Sequence, residues 1–267
     1  WFIVGYSTGA CRYGLLLYNA THGIGRRFFV RMADGWDDGG NGDPSASVNF
    51  YNTSDSDFMN FILADSRSVP DTWVGPIYAV KNGSSSGDTT RISWNGGIII
   101  NNADIGARFD GSIASATLSN CAFIDNINGG ASFGSGNTTN MTFRNFAIMK
   151  KFNTMSGDFQ AGIGDFGGSG TKIIKDGIIA NMVNDDLTGV SATYFDTYNN
   201  GSASAGTGRQ TYNPETNGYL YPMRIEASSN LSTDGSSGGI MGPKITTKIG
   251  TDGTLWGDTG YNTDTGS

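Results

Sequence analysis

Four segments of the chain, ISWNGGIIINN, TLSNCAFIDNI, TFRNFAIMKKF and IIKDGIIANMV, share one alternation of polar and apolar positions. In each, an amide or carboxylate residue (Asn95, Asn120, Asn145 and Asp176) stands three places before a large apolar one (Ile98, Phe123, Ile148 and Ile179). The first three polar positions are 25 residues apart and the last interval is 31. Stacked on that column, Ile99, Ile124, Met149 and Ala180 align next, followed two places on by Asn101, Asn126 and Lys151. An internal period of about 20 to 50 residues marks a solenoid or an array. Each unit holds one run of strand length and then a Gly- or Asn-rich turn, which suits parallel strands joined by a full circuit of the chain. The longer third interval falls in the glycine-rich stretch GDFQAGIGDFGGSG, and such insertions map to loops on one face of a repeat array.

Outside residues 91–187, which we expect to be the regular coils, the pattern changes. Residues 1–90 hold three short apolar runs (WFIVGY, YGLLLYN and RRFFVRM), a turn-rich loop from Asp34 to Ser47, and SVNFYNTSDSDFMNFILADS. These predict an N-terminal strand-rich cap, an acidic loop and the first coils; DFMNFILADS is the one place where a short helix is expected. Residues 188–222 are polar and tyrosine-rich and predict a lateral loop or hairpin excursion. Residues 223–267 predict one or two final coils and a C-terminal segment that ends without a closing element, as in a piece trimmed from a longer protein.

Composition agrees with an all-β chain. Of 267 residues, 41 are Gly and only 15% are charged, too Gly-rich and too neutral for a helical bundle. A hydrophobic share of 37% is too high for disorder. A net charge of -7 disfavours nucleic acid or an anionic membrane as partner, and no apolar run is long enough for a membrane span. Two cysteines, Cys11 and Cys121, are too few for a disulfide scaffold; they form either one bridge or two separate thiols. Sequons at Asn19, Asn52, Asn82, Asn137, Asn140, Asn200 and Asn230 favour an extracellular setting.

The repeated units of residues 91–187 resemble the right-handed parallel β-helix of the pectate-lyase-like superfamily, and the tail IMGPKITTKIGTDGTLWGDTGYNTDTGS is similar to the closing segment of bacterial right-handed β-helix repeat proteins. The resemblance implies a right-handed parallel β-helix, a β-solenoid in which corner asparagines such as Asn95, Asn120 and Asn145 stack into hydrogen-bonded ladders. Asp176 departs from that habit: a carboxylate cannot donate, so the ladder should end there or bind something. In β-helix lyases the base is typically Arg or Lys beside Ca²⁺, which points to Arg144, Lys151 and Lys175, with Arg144 and Lys175 sharing one column. The alternative for these cations is a solvated outer face.

Three other groups of residues bear on function. Asp34, Asp37, Asp38, Asn41 and Asp43, interspersed with glycines, offer oxygen ligands on a pliant backbone, as a Ca²⁺ cofactor requires; a solvated turn-rich loop is the alternative. Tyr194, Tyr198, Tyr212, Tyr219, Tyr221 and Trp256 form either an exposed platform for sugar rings or a cover over a sheet edge or flank. Asp158 with Asp165, or Asp185 with Asp186, are the carboxylate pairs a glycosidase would need, and His22 stands alone without a nucleophile-base set. These residues predict a secreted, cell-surface structural or adhesive solenoid, of a filament or appendage, that binds polysaccharide or self-associates. The competing reading is a polysaccharide lyase or glycoside hydrolase, including an enzyme of the phage tailspike kind.

Overall fold

A computed structural model describes residues 13–18, 21–31, 34–35, 46–51, 53–65, 67–68, 78–82, 89–102, 105–109, 113–127, 129–133, 140–151, 161–165, 170–219 and 225–245, and the structural statements below concern these residues. In chain order the strands are β1 (Tyr13–Tyr18), β2 (Ile24–Arg31), β3 (Asp34–Gly35), β4 (Ala46–Tyr51), β5 (Ser56–Ala64), β6 (Arg67–Ser68), β7 (Tyr78–Asn82) and β8 (Thr89–Ile100). They continue with β9 (Ala107–Phe109), β10 (Ile113–Ile124), β11 (Gly129–Phe133), β12 (Asn140–Met149), β13 (Ala161–Asp165), β14 (Lys172–Ala180), β15 (Leu187–Thr188) and β16 (Ala192–Tyr198). Two short 3₁₀ turns, Asn230–Ser232 and Ser236–Gly238, are the helical content among the described residues.

The chain is all-β and is organised as two long parallel sheets. One runs β1-β4-β7-β9-β11-β13-β15 and the other β16-β14-β12-β10-β8-β5-β2, while β3 and β6 pair by themselves. Apart from that small pair, successive strands alternate between the two sheets, so each layer holds one strand of each. A parallel neighbour cannot be reached by a tight turn, and the intervening strand of the opposite sheet supplies the crossover. Within DFMNFILADS, where a short helix is expected, residues 57–64 belong to the strand β5. Its apolar positions lie on both faces of the strand because both faces are covered, so they lack the simple alternation of a half-buried strand.

Left-handed backbone marks the middle of every strand of the second sheet. Arg27, Asn60, Gly96, Asn120, Asn145, Asp176 and Tyr194 all have φ between 50° and 73°, and the flanking register places them in one column. Asn, Asp and Gly visit this conformation most easily, which explains the amide-rich column in the sequence. Its first member differs from expectation. Gly96, not Asn95, pairs in this column with Asn120, and Asn95 faces Ser119. The first interval is therefore 24, hidden because an asparagine happens to precede the glycine. The same one-residue shift puts Asn102, not Asn101, with Asn126.

After the left-handed residue the strands present two faces. The inner column reads Phe28, Phe61, Gly97, Cys121, Phe146, Gly177 and Phe195, so rings and small residues are interspersed and together fill the space between the sheets. Phe28 stacks on Phe61 with ring centroids 5.6 Å apart. Cys121 is a free thiol fully buried in this column, and desolvation pushes its pKa up to about 12, so it acts as a small apolar residue. Cys11 lies outside the described residues. In the β8 and β10 layers one corner is closed by buried amides: Asn102 Nδ2 donates to Asn126 Oδ1 at 2.7 Å, and Asn126 Nδ2 donates to the carbonyl of Ile99 at 3.0 Å. Asn200 serves the same corner further along, donating to the carbonyl of Ile179 and accepting from the amide of Met182, both at 2.9 Å.

The outer column reads Phe29, Ile62, Ile98, Ala122, Ala147, Ile178 and Asp196, and a second one follows with Ala64, Ile100, Ile124, Met149, Ala180 and Tyr198. This face is also buried. Tyr219, Ile225, Leu231, Met241 and Ile245 pack onto it. Residues 225–245, expected to return as final coils, contribute no strand to either sheet and cross this outer face instead. The stack itself reaches back to Tyr13 and forward to Tyr198, so the excursion expected from residue 188 begins after β16. Residues 207–210 then fold back along the free edge of β16: Tyr194 N donates to Thr207 O at 2.7 Å and Gln210 N to Phe195 O at 2.8 Å. That closes an edge that would otherwise template pairing with another chain.

The inner column makes a direct prediction. A Cβ on Gly177 would lie 2.2 Å from Phe146 Cζ, and the Phe146 ring is pinned by Phe143, stacked at 4.2 Å and 7°. Gly177→Ala should therefore destabilise the fold by about 1–3 kcal/mol through overpacking, read from the urea midpoint. Unchanged unfolding would show that the column can give.

Candidate functional site

The left-handed column carries more than backbone geometry, because its side chains catch the crossing segment. Asp176 accepts from Ser236 N at 2.6 Å and Ser236 Oγ at 2.8 Å; Asn145 Nδ2 donates to Ile240 O at 2.9 Å; Lys244 N donates to Asn120 Oδ1 at 3.4 Å. Contacts thus fall every four residues of the segment, one per layer of the sheet. Asn120 also donates to Asn95 Oδ1 at 2.9 Å, the one amide-to-amide bond among the three expected ladder members. The column is therefore a rail for the crossing segment, and the inward amide ladder is the one built on Asn102 and Asn126. Asp176 does bind something, as an acceptor-only side chain there should, and its ligand is the protein's own Ser236.

The catalytic candidates are split. Arg144 and Lys175 are register neighbours on β12 and β14, with Arg144 exposed. Lys175 Nζ lies 4.0 Å from Asp176 Oδ2. Lys151 lies past the end of β12, in the layer position that Asn102 and Asn126 fill elsewhere. Its backbone N–H donates to Asp125 Oδ1 at 2.7 Å. Its ammonium donates to Tyr219 O at 2.7 Å, sits 5.2 Å from the Tyr219 ring centroid and lies 3.9 Å from Glu215 Oε1. Its side chain is only 5% exposed, and desolvation lowers its pKa against the opposing pull of Glu215, Glu226 and Asp125. Beside it Lys150, Asn181, Val183, Asn199 and Glu215 line an open groove of about 480 Å³. Along its wall Asn181 Nδ2 donates to Lys150 O at 2.9 Å and Asn199 Nδ2 to Asn181 Oδ1 at 3.0 Å.

Carboxylates are held in place elsewhere. Arg91 clamps Asp55 (Nε to Oδ1, 3.1 Å) and Asp57 (Nη1 to Oδ1, 3.0 Å), and its hydrogen bond to Asp57 lowers that residue's pKa. Asp186 is fully buried and accepts from Leu187 N, Thr197 Oγ1, Ser204 N and Ser204 Oγ, so it cannot serve with Asp185 as an acid-base pair. Asp165 lies 3.9 Å from Lys172 Nζ, and Asp158 falls outside the described residues. His22 is exposed and 3.9 Å from Asp55 Oδ2.

Of the tyrosines expected to stack on sugars, Tyr219 is fully buried beneath Lys151, and burial raises its pKa well above the ordinary value. Tyr194, Tyr198 and Tyr212 are partly buried against the outer face. Tyr194 and Tyr198 belong to β16 itself, and Tyr212 and Tyr219 come from the residues that follow it. Tyr221 and Trp256 lie outside the described residues, as do Asp37, Asp38, Asn41 and Asp43 of the acidic loop, whose Asp34 pairs in β3 with Arg67. No group of three or more metal-ligating side chains gathers among the described residues, and none of their helices is long and apolar enough to cross a membrane. Glu215, Ser236 and Asp196 were missed from sequence, since only the fold brings them to the outer face. Comparison with known proteins found no matching family model, no matching curated protein and no matching solved structure.

The Lys151 contact is testable. Lys151→Met keeps the stem but leaves the carbonyl of Tyr219 without this charged donor, and should lower stability by about 1–3 kcal/mol. Glu215→Gln, at a half-exposed position, should cost under about 1 kcal/mol. Equal losses for the two in urea unfolding would contradict this assignment.

Proposed function

We propose that the chain is a β-solenoid of the right-handed parallel β-helix type that serves outside the cell as a rigid structural or adhesive element of a surface, filament or appendage. What supports the solenoid reading is the strict alternation of strands between two parallel sheets. What carries the functional reading is the use made of the polar side chains. Lys151, Asp176, Asp186 and the Asp55–Asp57 pair, which a chemical step would need free, instead fasten one segment of the chain to another. A scaffold built this way resists mechanical and proteolytic opening, which an exposed appendage requires. Adhesion would fall to the open groove beside Lys150 and Asn199, whose amides and cation suit sugar hydroxyls and carboxylates. The sequons support the extracellular setting except Asn200, whose amide is committed to the corner of the stack.

A second reading, a polysaccharide lyase or glycoside hydrolase, draws on one observation: a lysine of lowered pKa borders an open groove opposite a carboxylate. A single assay separates the two. Incubated with uronate-containing and neutral polysaccharides, a structural or adhesive solenoid should release neither unsaturated products nor reducing ends, while co-sedimenting with one class of insoluble polymer. Product release that is lost in Lys151→Met would install the enzyme.

The acidic loop at residues 34–43 is proposed as a Ca²⁺ site on its donor set alone. Millimolar Ca²⁺ should then raise Tm by several degrees, as binding to the folded state requires. A Tm that does not move in Ca²⁺ or in chelator would remove the site.

A further inference from the structure

The outer apolar column beneath the crossing segment ends in a charged residue type. Asp196 pairs in register with Ile178, continuing the series Ile62, Ile98, Ala122, Ala147, Ile178, and its side chain is fully buried. One carboxyl oxygen, Oδ1, accepts from Tyr212 N at 2.7 Å. The other, Oδ2, is buried without a hydrogen-bond partner. Among the described residues no cation answers it. The titratable groups that face it are Asp234, carried by the crossing segment, and Tyr212, whose hydroxyl is hydrogen-bonded to Asp234. An ionised carboxylate in this position would meet apolar side chains and a second negative charge, at a cost that a buried ion without a counter-charge does not recover.

We propose that a proton on Asp196 is the latch of the outer cover, so that residues 212–219 and 225–245 seat on the second sheet at acidic pH and loosen as the pH rises through neutrality. Burial, with a smaller contribution from Asp234, raises the carboxyl to about 7, against the opposing hydrogen bond from Tyr212 N. With the cover open the same group titrates near its ordinary value of 3.8. Because the seated state holds the proton more tightly, its stabilisation is complete below that ordinary value. It declines as pH rises and is lost once the pH passes the seated-state value. Exposure of the apolar columns Ile98–Ala122–Ala147 and Ile124–Met149 would follow loosening.

Hydrogen exchange on the intact protein tests the latch. The amides of Met241 and Gly242 are bonded within the cover and to Asp176, and their protection factors, corrected for intrinsic exchange, should fall by about 10- to 1,000-fold between pH 5 and pH 8. In Asp196→Asn, which keeps the acceptor for Tyr212 N but cannot ionise, protection should be flat across that range. A wild-type protection factor that ignores pH, or an Asp196→Asn variant with the wild-type slope, overturns the proposal. Should Asp196→Asn fail to fold, the carboxyl ¹³C shift of Asp196 in the wild type decides. A midpoint near 7 that falls in Asp234→Asn supports the latch, and a midpoint at the ordinary carboxylate value refutes it.

Discussion

The structure depends on one constraint, a left-handed residue in the middle of each strand of the second sheet. Placed in register, these residues break each strand at the same point and divide its face in two. On one side of the break lies a polar column that includes Arg144 and Lys175; on the other lie the apolar columns that need a cover. Apart from Gly, the residues that tolerate this backbone most cheaply, Asn and Asp, are also short hydrogen-bonding side chains. Conformational tolerance and the means of holding the cover therefore come from the same positions. Asn120, Asn145 and Asp176 are bent out of the strand by their backbone and then bonded to the crossing segment by their side chains.

That arrangement gives the second sheet two cores. The inner one, between the sheets, mixes sizes: Phe146 lies between Cys121 and Gly177, whereas Phe28 and Phe61 meet directly. The outer one depends on small residues, Ala122, Ala147 and Ala180, which let the crossing segment lie close to the sheet. A parallel sheet is ordinarily covered on both faces. Here the first sheet covers one face and a segment with almost no regular structure covers the other, held by side-chain bonds as much as by apolar contact.

Much of the stack was legible in the sequence, because strand length and the recurrence of Asn followed by branched apolar residues are local signals. Arg144 and Lys175 fell into one column as the repeats had suggested. The register of the first repeat was not legible. Asn95 and Gly96 both suit a turn, and only the pairing of Gly97 with Cys121 settles which occupies the column. The crossing segment was less legible still. Its bonds to the sheet span 60 to 124 residues, and its polar, glycine-rich sequence has no period of its own. The groove beside Lys151 is legible in part: the lysine's charge is visible in the sequence, whereas its commitment to Tyr219 is a property of the fold.

Asp176 is where these levels meet. Its neighbours in the column are amides, and an amide there would present one donor and one acceptor to whatever crosses the sheet. Ser236 approaches with two donors, its backbone N–H and its hydroxyl, at the start of a short 3₁₀ turn. Only a carboxylate accepts both at once, one on each oxygen. The break in the asparagine pattern is thus the chemical complement of the turn it holds, and the same turn follows Asp234, the residue that sets the charge around Asp196. The two carboxylates act on one segment in opposite senses: Asp176 binds it through negative charge, and Asp196 tolerates it only when that charge is absent.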